Sequence, residues 1–317
     1  MASRLSSIDV LLLLMTLIWG TNYSIVKRAF LQIDPQAFNA ARMVIASVVF
    51  LAISAAARAR RRTSRATSAT ASIFFTPDVI TRRDWLALAG LGVVGHAAYQ
   101  YFFIGGLART SVSNSSLMLA ATPVLIALLT AAFGQDRISR LHWVGVALSL
   151  AGIYLVVGHG APAGRGSRAG DAMMFVAVCC WAIYTMGARQ LMLRHSPVGV
   201  TGFSMAMGTV VYVPLAFRNI VATDWTAVSS GAWFALVYSA LFALCVAYTI
   251  WYMAVREIGS ARTSVYSNVV PIVAMLTAVV FLGEVMTAAR LTGAAAVLLG
   301  VALTRVGKVA PLACPQE

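Results

Sequence analysis

Charge is the scarcest property of this chain. Of its 317 residues only 11% are Asp, Glu, Lys or Arg, and only ten of those are acids. A soluble domain keeps roughly a quarter of its residues charged to cover its surface, so water is excluded as the solvent for most of this one. Acids are missing from the middle of every apolar run. Asp9, Asp34, Asp78, Asp84, Asp136, Asp171, Asp224, Glu257, Glu284 and Glu317 all fall near run ends, in connectors or in the tail. An ionisable group at bilayer depth is expensive and is normally retained for function. Its lack disfavours proton-for-cation antiport through an embedded carboxylate, and equally an intramembrane carboxylate or metal enzyme. Cysteine is sparse too. Cys179, Cys180, Cys245 and Cys314 fit neither a zinc pattern nor a secreted disulfide framework, which leaves them as small apolar fillers. His142, His159 and His195 stand at run ends without ligand spacing. The expectation is a protein with no catalytic residue, no metal and no cofactor, and so not an enzyme.

What is present is apolar: 60% of the residues are hydrophobic and the mean hydropathy is +0.83. Runs of about 20 apolar residues, the length a ~30 Å hydrocarbon core demands, are predicted at 8–30, 36–57, 85–107, 111–133, 141–158, 170–188, 197–217, 231–254, 261–282 and 287–305. The runs lack the alternation of barrel strands, and a helix satisfies its own backbone inside lipid. The fold class is therefore an all-α integral membrane protein with about ten transmembrane helices. Arg4 ahead of the first run resembles a signal-peptide start, but no small-x-small cleavage site follows, so residues 8–30 are expected to stay as a structural helix.

Lys and Arg set the orientation. With the N-terminus in the cytoplasm, inner segments hold 16 basic residues, outer segments hold 7, and Arg42 lies within a span. That bias predicts a multi-pass protein of the cytoplasmic (inner) membrane with both termini cytoplasmic. The net charge of +14 is then an orientation device that also attracts anionic headgroups, and calls for no nucleic-acid partner.

The chain also contains itself twice. Shifting by 148 lays Trp233 on Trp85, Pro271 on Pro123, Phe281 on Phe133, Glu284 on Asp136, Gly293 on Gly145 and Gly300 on Gly152. Shifting by 162 lays Asp171 on Asp9, Trp181 on Trp19 and Pro197 on Pro35. Each copy holds an odd number of spans, so the copies cross the bilayer in opposite senses, as two inverted five-helix repeats. Such repeats place a substrate path at their interface. The expected divisions are 1–158, with a basic cytoplasmic loop at 58–84; an inter-repeat loop at 159–169; the second repeat at 170–306; and a tail at 307–317.

Trp19-Gly20-Thr21-Asn22-Tyr23 resembles the Trp-Gly-x-Asn-aromatic signature of the EamA family, in the drug/metabolite transporter superfamily. Arg42, Pro123 with the Asp136 turn, and Gly145…Gly152 look like the same pattern. Trp181-Ala182, Pro271, Gly283-Glu284 and Gly293…Gly300 occupy the corresponding places in the second copy. The first copy departs in carrying Gln135-Asp136 where the family usually has Glu. The resemblance covers about 8–305. It implies a ten-helix bundle around a central cavity that moves small metabolites, often exporting amino acids or related compounds.

Arg42 is the one cation inside a span, where its guanidinium can meet a carboxylate or phosphate in a fork, or bind helix ends structurally. His96, Tyr99 and Gln100 share a helical face, a setting for an aromatic or zwitterionic solute, where His96 either offers a link to pH or is a buried histidine satisfied by a neighbouring helix. Trp19, Asn22 and Tyr23 share a side of the first span, and Trp181 and Tyr184 a side of the sixth. Ser115 and Met118 line the fourth, Tyr248 and Trp251 the eighth, Ser267 and Asn268 the ninth. Polar groups in lipid must face protein or water, so these fifteen residues form the expected substrate cavity. Pro123 and Pro271 each remove a mid-span backbone donor and mark equivalent hinges or static kinks. Gly145, Gly152, Gly293 and Gly300 keep one side of two helices thin for close packing, within the chain or in a homodimer. The expected function is a permease for a small polar or amphipathic, amino-acid-like metabolite, exported by alternating access, with that solute and the bilayer as partners. A nucleotide-sugar or sugar-phosphate carrier, or a membrane-embedded lipid-modifying enzyme, are the alternatives.

Overall fold

A computed structural model describes residues 6–63, 74, 79–120, 122, 124–125, 136–137, 140–159, 168–192, 194–258, 266–267, 269–306 and 310–311. The described helices follow the expected order: α1 (Ser7–Ala29), α2 (Pro35–Thr63), α3 (Arg82–Arg109), α4 (Val112–Ala120), α5 (Arg140–His159), α6 (Arg168–Met192), α7 (Pro197–Leu215), α8 (Ser230–Ala254, running on to Ile258), α9 (Val269–Leu282) and α10 (Ala288–Val306). A short turn, Phe217–Ala222, extends α7. Six of these helices, α1, α2, α3, α6, α7 and α8, are long and apolar enough to cross a membrane, and α5, α9 and α10 contain shorter apolar segments. The chain is an all-α membrane protein. A two-residue backbone pairing joins Asp136–Arg137 to Ala310–Pro311.

Three of the acids that the sequence keeps at run ends, Asp9, Asp34 and Asp84, cap the helices that start beside them. Ser6 caps α1, and the Asp9 carboxylate returns to the Ser6 N–H at 3.0 Å. Thr81 and Asp84 repeat that reciprocal box at the start of α3. Asp34 accepts from the N–H groups of Gln36 and Ala37 at 2.8 and 3.1 Å, one residue ahead of Pro35. A carboxylate there satisfies orphan donors and meets the positive end of the helix dipole. Ser196 before Pro197 provides the matching start for α7, with proline where its missing N–H costs nothing.

The apolar surface is turned outward. On α1, Val10, Leu13, Leu14 and Leu17 are exposed, whereas Leu12, Met15, Thr16, Asn22 and Val26 are buried. Lipid is the solvent that makes such a stripe stable.

The two halves pack as counterparts, each helix of the first matching the one five places later. α1 packs on α8 and α9 as α6 packs on α3 and α4, and α2 packs on α8 as α7 packs on α3. α2 with α7, α4 with α9 and α5 with α10 each touch their own counterparts. These self-pairings run antiparallel. Ser47 and Thr209, related by the shift of 162, bond to each other through their hydroxyls at 2.9 Å. Phe50 meets Gly202 on one side of that point, and Tyr212 clusters with Ala40 and Met43 on the other. The α5–α10 crossing repeats the device with the shift of 148. A Cβ on Gly152 would stand 2.7 Å from both Gly293 O and Val297 N, and one on Gly300 would stand 2.5 Å from Gly145 O and 2.6 Å from Ser149 N. Ser149 donates to Val297 O, its own counterpart's carbonyl, at 3.3 Å. Counterparts that touch while running in opposite directions define a pseudo-twofold axis across the helices, which is an inverted repeat. The four glycines thus pack α5 on α10 inside one chain.

Each half also widens one helix. α3 has a π-turn at Val93–Ala98 and α8 has one at Ser239–Val246, in the same place under the shift of 148. Both lie mid-helix, facing the opposite half.

Candidate functional site: a cavity between the halves

A cavity of ≈ 310 Å³ lies between the halves, walled by α1, α2, α3, α4, α6, α8 and α9. Ten of the fifteen expected residues line it: Trp19, Asn22, Tyr23, Arg42, Tyr99, Gln100, Trp181, Tyr248, Trp251 and Ser267. Pro271 lines it as well. Asn268 and Pro123 lie outside the described residues.

The Trp-Gly-x-Asn-aromatic stretch is built for this position. Trp19 projects between Tyr248 and Trp251, ring centroids 5.9 and 5.7 Å away, and its indole N–H donates to Ala243 O in the α8 π-turn at 3.0 Å. Gly20 faces the other way. A Cβ there would stand 2.5 Å from the Val273 Cβ and 3.2 Å from Val270 O, so only glycine lets α9 approach α1 this closely. Asn22 and Tyr23, one turn on, return to the cavity, with Tyr23 edge-on to Phe103 at 5.6 Å. Trp181, the counterpart of Trp19, completes the wall with Tyr99 at 5.1 Å and Tyr248 at 5.6 Å.

Arg42 is 1% exposed and its polar partners are all neutral. Nε donates to Asn39 Oδ1 at 2.6 Å, Nη1 to Ser239 Oγ at 2.8 Å, and Nη2 to Gln100 Oε1 at 2.5 Å. α2, α3 and the α8 π-turn therefore all hold one guanidinium. Among the described residues lining the cavity it is the only ionic side chain.

Four expected residues stand behind the wall. His96 is fully buried, 3.2 Å from Ser204 on α7, with its ring 4.9 Å from Tyr184. Tyr184 is buried with it, Ser115 is fully buried, and Met118 joins the core cluster around Tyr23 and Phe103. The π-turn explains His96. A shared face for residues 96, 99 and 100 assumes 3.6 residues per turn, and the wider turn at Val93–Ala98 changes the phase. His96 turns to α7 while Tyr99 and Gln100 reach the cavity. The lining positions that the sequence did not point to, Ser116, Leu119, Ala120, Ala243, Leu244 and Val270, are apolar or small. The repeat offers one signal for them: Ala243 and Leu244 are counterparts of Gly95 and His96.

Polar contacts tie both ends of the bundle. At one end Lys27 donates to Leu107 O at 2.9 Å and to Thr110 O, while Asp171 accepts from Thr110 at 2.6 Å. Glu284 there accepts from Val112 N at 2.7 Å and from Ser113 Oγ at 2.7 Å, capping α4 from another helix. Arg290 is buried in the first turn of α10, 3.9 Å from Glu284, and donates to Val285 O at 2.8 Å. At the other end Asp84 holds Arg194 at 2.6 Å and His195 at 3.2 Å, and Tyr266 donates to Asp9 at 2.7 Å. Among the described residues no group of three His, Cys, Asp or Glu is placed to hold a metal.

This architecture has known relatives. The chain is 26% identical over 223 residues to the uncharacterized transporter YyaM of Bacillus subtilis (strain 168), covering 69% of this chain and 73% of that one. An uncharacterized transporter of Archaeoglobus fulgidus is 28% identical over 287 residues, 88% of this chain and 90% of its own. A protein named probable terminal-alkyne amino-acid exporter, from Streptantibioticus cattleyicolor, is 28% identical over 221 residues, 70% and 73% of the two chains. A solved crystal structure superposes with a TM-score of 0.60 over 95% of this chain and 98% of that one; at 18% identity this speaks to the fold alone. The model of the EamA-like transporter family matches residues 6–158 and again residues 168–306. With the family model matching each half in turn over nearly the whole length, the chain belongs to the EamA-like transporter family.

Proposed function

We propose that the protein is a secondary transporter that moves a small amphipathic, amino-acid-like metabolite across the cytoplasmic membrane, outward, by alternating access. One observation carries this reading: a cavity shared by both inverted halves, with an aromatic wall and a single buried guanidinium. A concave, mostly apolar site with a few fixed polar groups suits a solute that has both characters. The pseudo-twofold axis makes the two ends interchangeable in architecture, so opening at one end has a structural counterpart at the other. Pro271, on the cavity wall, brings no backbone donor, and the paired π-turns interrupt the regular i→i−4 ladder; both are places where helices bend. The excess of Lys and Arg in the inner segments supports an orientation with both termini in the cytoplasm. The name of the Streptantibioticus relative agrees with an amino-acid-like cargo.

A nucleotide-sugar or sugar-phosphate carrier would need further cations converging on the cavity, and among its described lining residues Arg42 stands alone. Counterflow in proteoliposomes loaded in turn with amino acids, sugars, nucleotides and amines tests the reading. Accelerated exchange is expected for amino acids. Exchange confined to nucleotides or sugar phosphates would replace it with the carrier alternative, and exchange of none by folded protein would remove transport of these classes.

A further inference from the structure

Two polar side chains on the cavity wall are buried and incompletely bonded. Arg42 uses three of its five N–H donors, on Asn39, Ser239 and Gln100. Asn22 is 6% exposed, and its side-chain oxygen has no partner among the described residues. One is a charged donor fork and the other a bare acceptor, and both residues line the same space. A buried polar atom without a partner is costly, and a buried charge more so. A ligand that satisfies both removes that cost.

We propose that Arg42 and Asn22 form the head-group subsite of the cavity, which takes a substrate carboxylate on the free guanidinium N–H groups and a substrate N–H donor on Asn22 Oδ1, and so selects amino acids. This deepens the transport reading above and rests on it. A carboxylate matches one guanidinium in charge and in fork geometry. A phosphate ester, near two negative charges at neutral pH, exceeds what one cation balances. An organic amine without a carboxylate meets repulsion from Arg42 and, among the described lining residues, no carboxylate to offset it. The neutral anchors hold the guanidinium in place before the substrate arrives, so little ordering is left for binding. The rings of Trp19 and Trp181, each edge-on to Tyr248, receive the apolar remainder with it.

The test uses three probes that differ by one group each: L-leucine, 4-methylpentanoate, which lacks the amine, and 3-methylbutylamine, which lacks the carboxylate. Binding to the purified full-length protein in detergent is read from tryptophan fluorescence, since Trp19, Trp181 and Trp251 line the cavity. L-leucine is expected to bind about tenfold more tightly than 4-methylpentanoate, the value of one satisfied buried acceptor. The amine is expected to bind about 30-fold or more below L-leucine. Asn22→Ala should weaken L-leucine to the level of 4-methylpentanoate and leave 4-methylpentanoate unchanged, a readout that a general packing defect would not give. Arg42→Lys, which keeps the charge and loses the fork, should weaken both carboxylates together. Equal binding of the amine and 4-methylpentanoate by the wild type, or an equal loss of both carboxylates in Asn22→Ala, overturns the subsite while leaving the transport reading in place. No binding of any probe, together with no amino-acid counterflow, overturns both.

Discussion

The two halves are matched helix for helix in their packing, yet their mid-membrane polar groups differ. Arg42 and Ser204 are counterparts under the shift of 162, as Ser47 and Thr209 are. Arg42 is held by Asn39, Gln100 and Ser239 beside the cavity, whereas Ser204 bonds His96 behind the wall. Gln100 has Tyr248 as its counterpart, and His96 has Leu244. At the α5–α10 crossing the halves stay alike, with Gly152 against Gly293 and Gly300 against Gly145. Symmetry is thus kept where backbones touch and broken where the cavity is lined. The shared part sets the scaffold. The unshared part places one positive charge at one point of the passage.

The largest effect should come from breaking the symmetric part. Gly300→Leu would drive a side chain into Gly145 O and Ser149 N, where only backbone could yield, and Gly152→Leu would do the same to Gly293 O and Val297 N. Overpacking of this kind costs about 3 kcal/mol or more when no side chain can move aside. Both variants should lose the monodisperse folded peak in detergent. Because the two sites are counterparts, their losses should be similar; one variant folding normally would show that the crossing is less constrained than its geometry indicates.

Next in size is the broken part. Arg42→Ser gives the first half the residue of the second. It should cut amino-acid counterflow by about 100-fold, the loss typical when one partner of a buried charge pair is removed. Ser204→Ala should change counterflow by less than about threefold, since that hydroxyl bonds His96 and its own helix rather than the cavity. Equal losses in the two variants, both folded, would erase the functional asymmetry.

Much of this was legible in sequence because it rests on exact spacing. Trp19 with Trp181 and Pro35 with Pro197 gave one shift and the paired glycines the other; the apolar runs gave the helices, and their odd number in each copy gave the opposite orientation of the copies. Arg42 was legible because a lone cation in an apolar run has few physical explanations. The phase of α3 was not. Nothing in Val93–Ala98 announces a π-turn, and regular helix geometry put His96 on the cavity face when it faces Ser204. Ala120, Ala243 and Leu244 were invisible for another reason, since small and apolar residues look alike on the cavity wall and in the core. The roles of Asp9, Asp34 and Asp84 as caps follow from their places at run ends. That Glu284 caps α4 rather than its own neighbourhood required the fold.

Glu284 offers the third comparison, between the bundle's two tied ends. Glu284 accepts from two N–H groups and one hydroxyl at the start of α4. Asp84 at the other end keeps its own capping box and an ion pair with Arg194, which is more than half exposed. Glu284→Gln keeps the size but loses the charge at a helix N-terminus, and should lower stability by about 1–2 kcal/mol. Arg194→Ala removes only an exposed partner and should cost under about 1 kcal/mol. Thermal unfolding in detergent ranks the two, and a larger shift for Arg194→Ala would contradict the contrast.

The smallest expected difference separates the two tryptophans. Trp19 and Trp181 are counterparts on one wall, but only Trp19 has an indole hydrogen bond among the described residues, to Ala243 O at 3.0 Å. That carbonyl belongs to the π-turn, where the regular backbone ladder is interrupted, so the indole supplies a donor from another helix. Phenylalanine at either position keeps a ring and most of the contact area. Trp19→Phe should therefore cost about 1 kcal/mol more than Trp181→Phe, the net worth of one hydrogen bond, as read from the two midpoints of thermal unfolding. The same bond ties α1 of the first half to the widened turn of the second. If that turn bends during transport, Trp19→Phe should alter the rate of counterflow more than the concentration giving half its maximum, whereas Trp181→Phe, which removes only ring surface from the cavity, should alter chiefly the latter. Identical unfolding midpoints and identical kinetic changes would mean that the indole N–H is worth nothing beyond its ring, and that the two walls are equivalent at this depth.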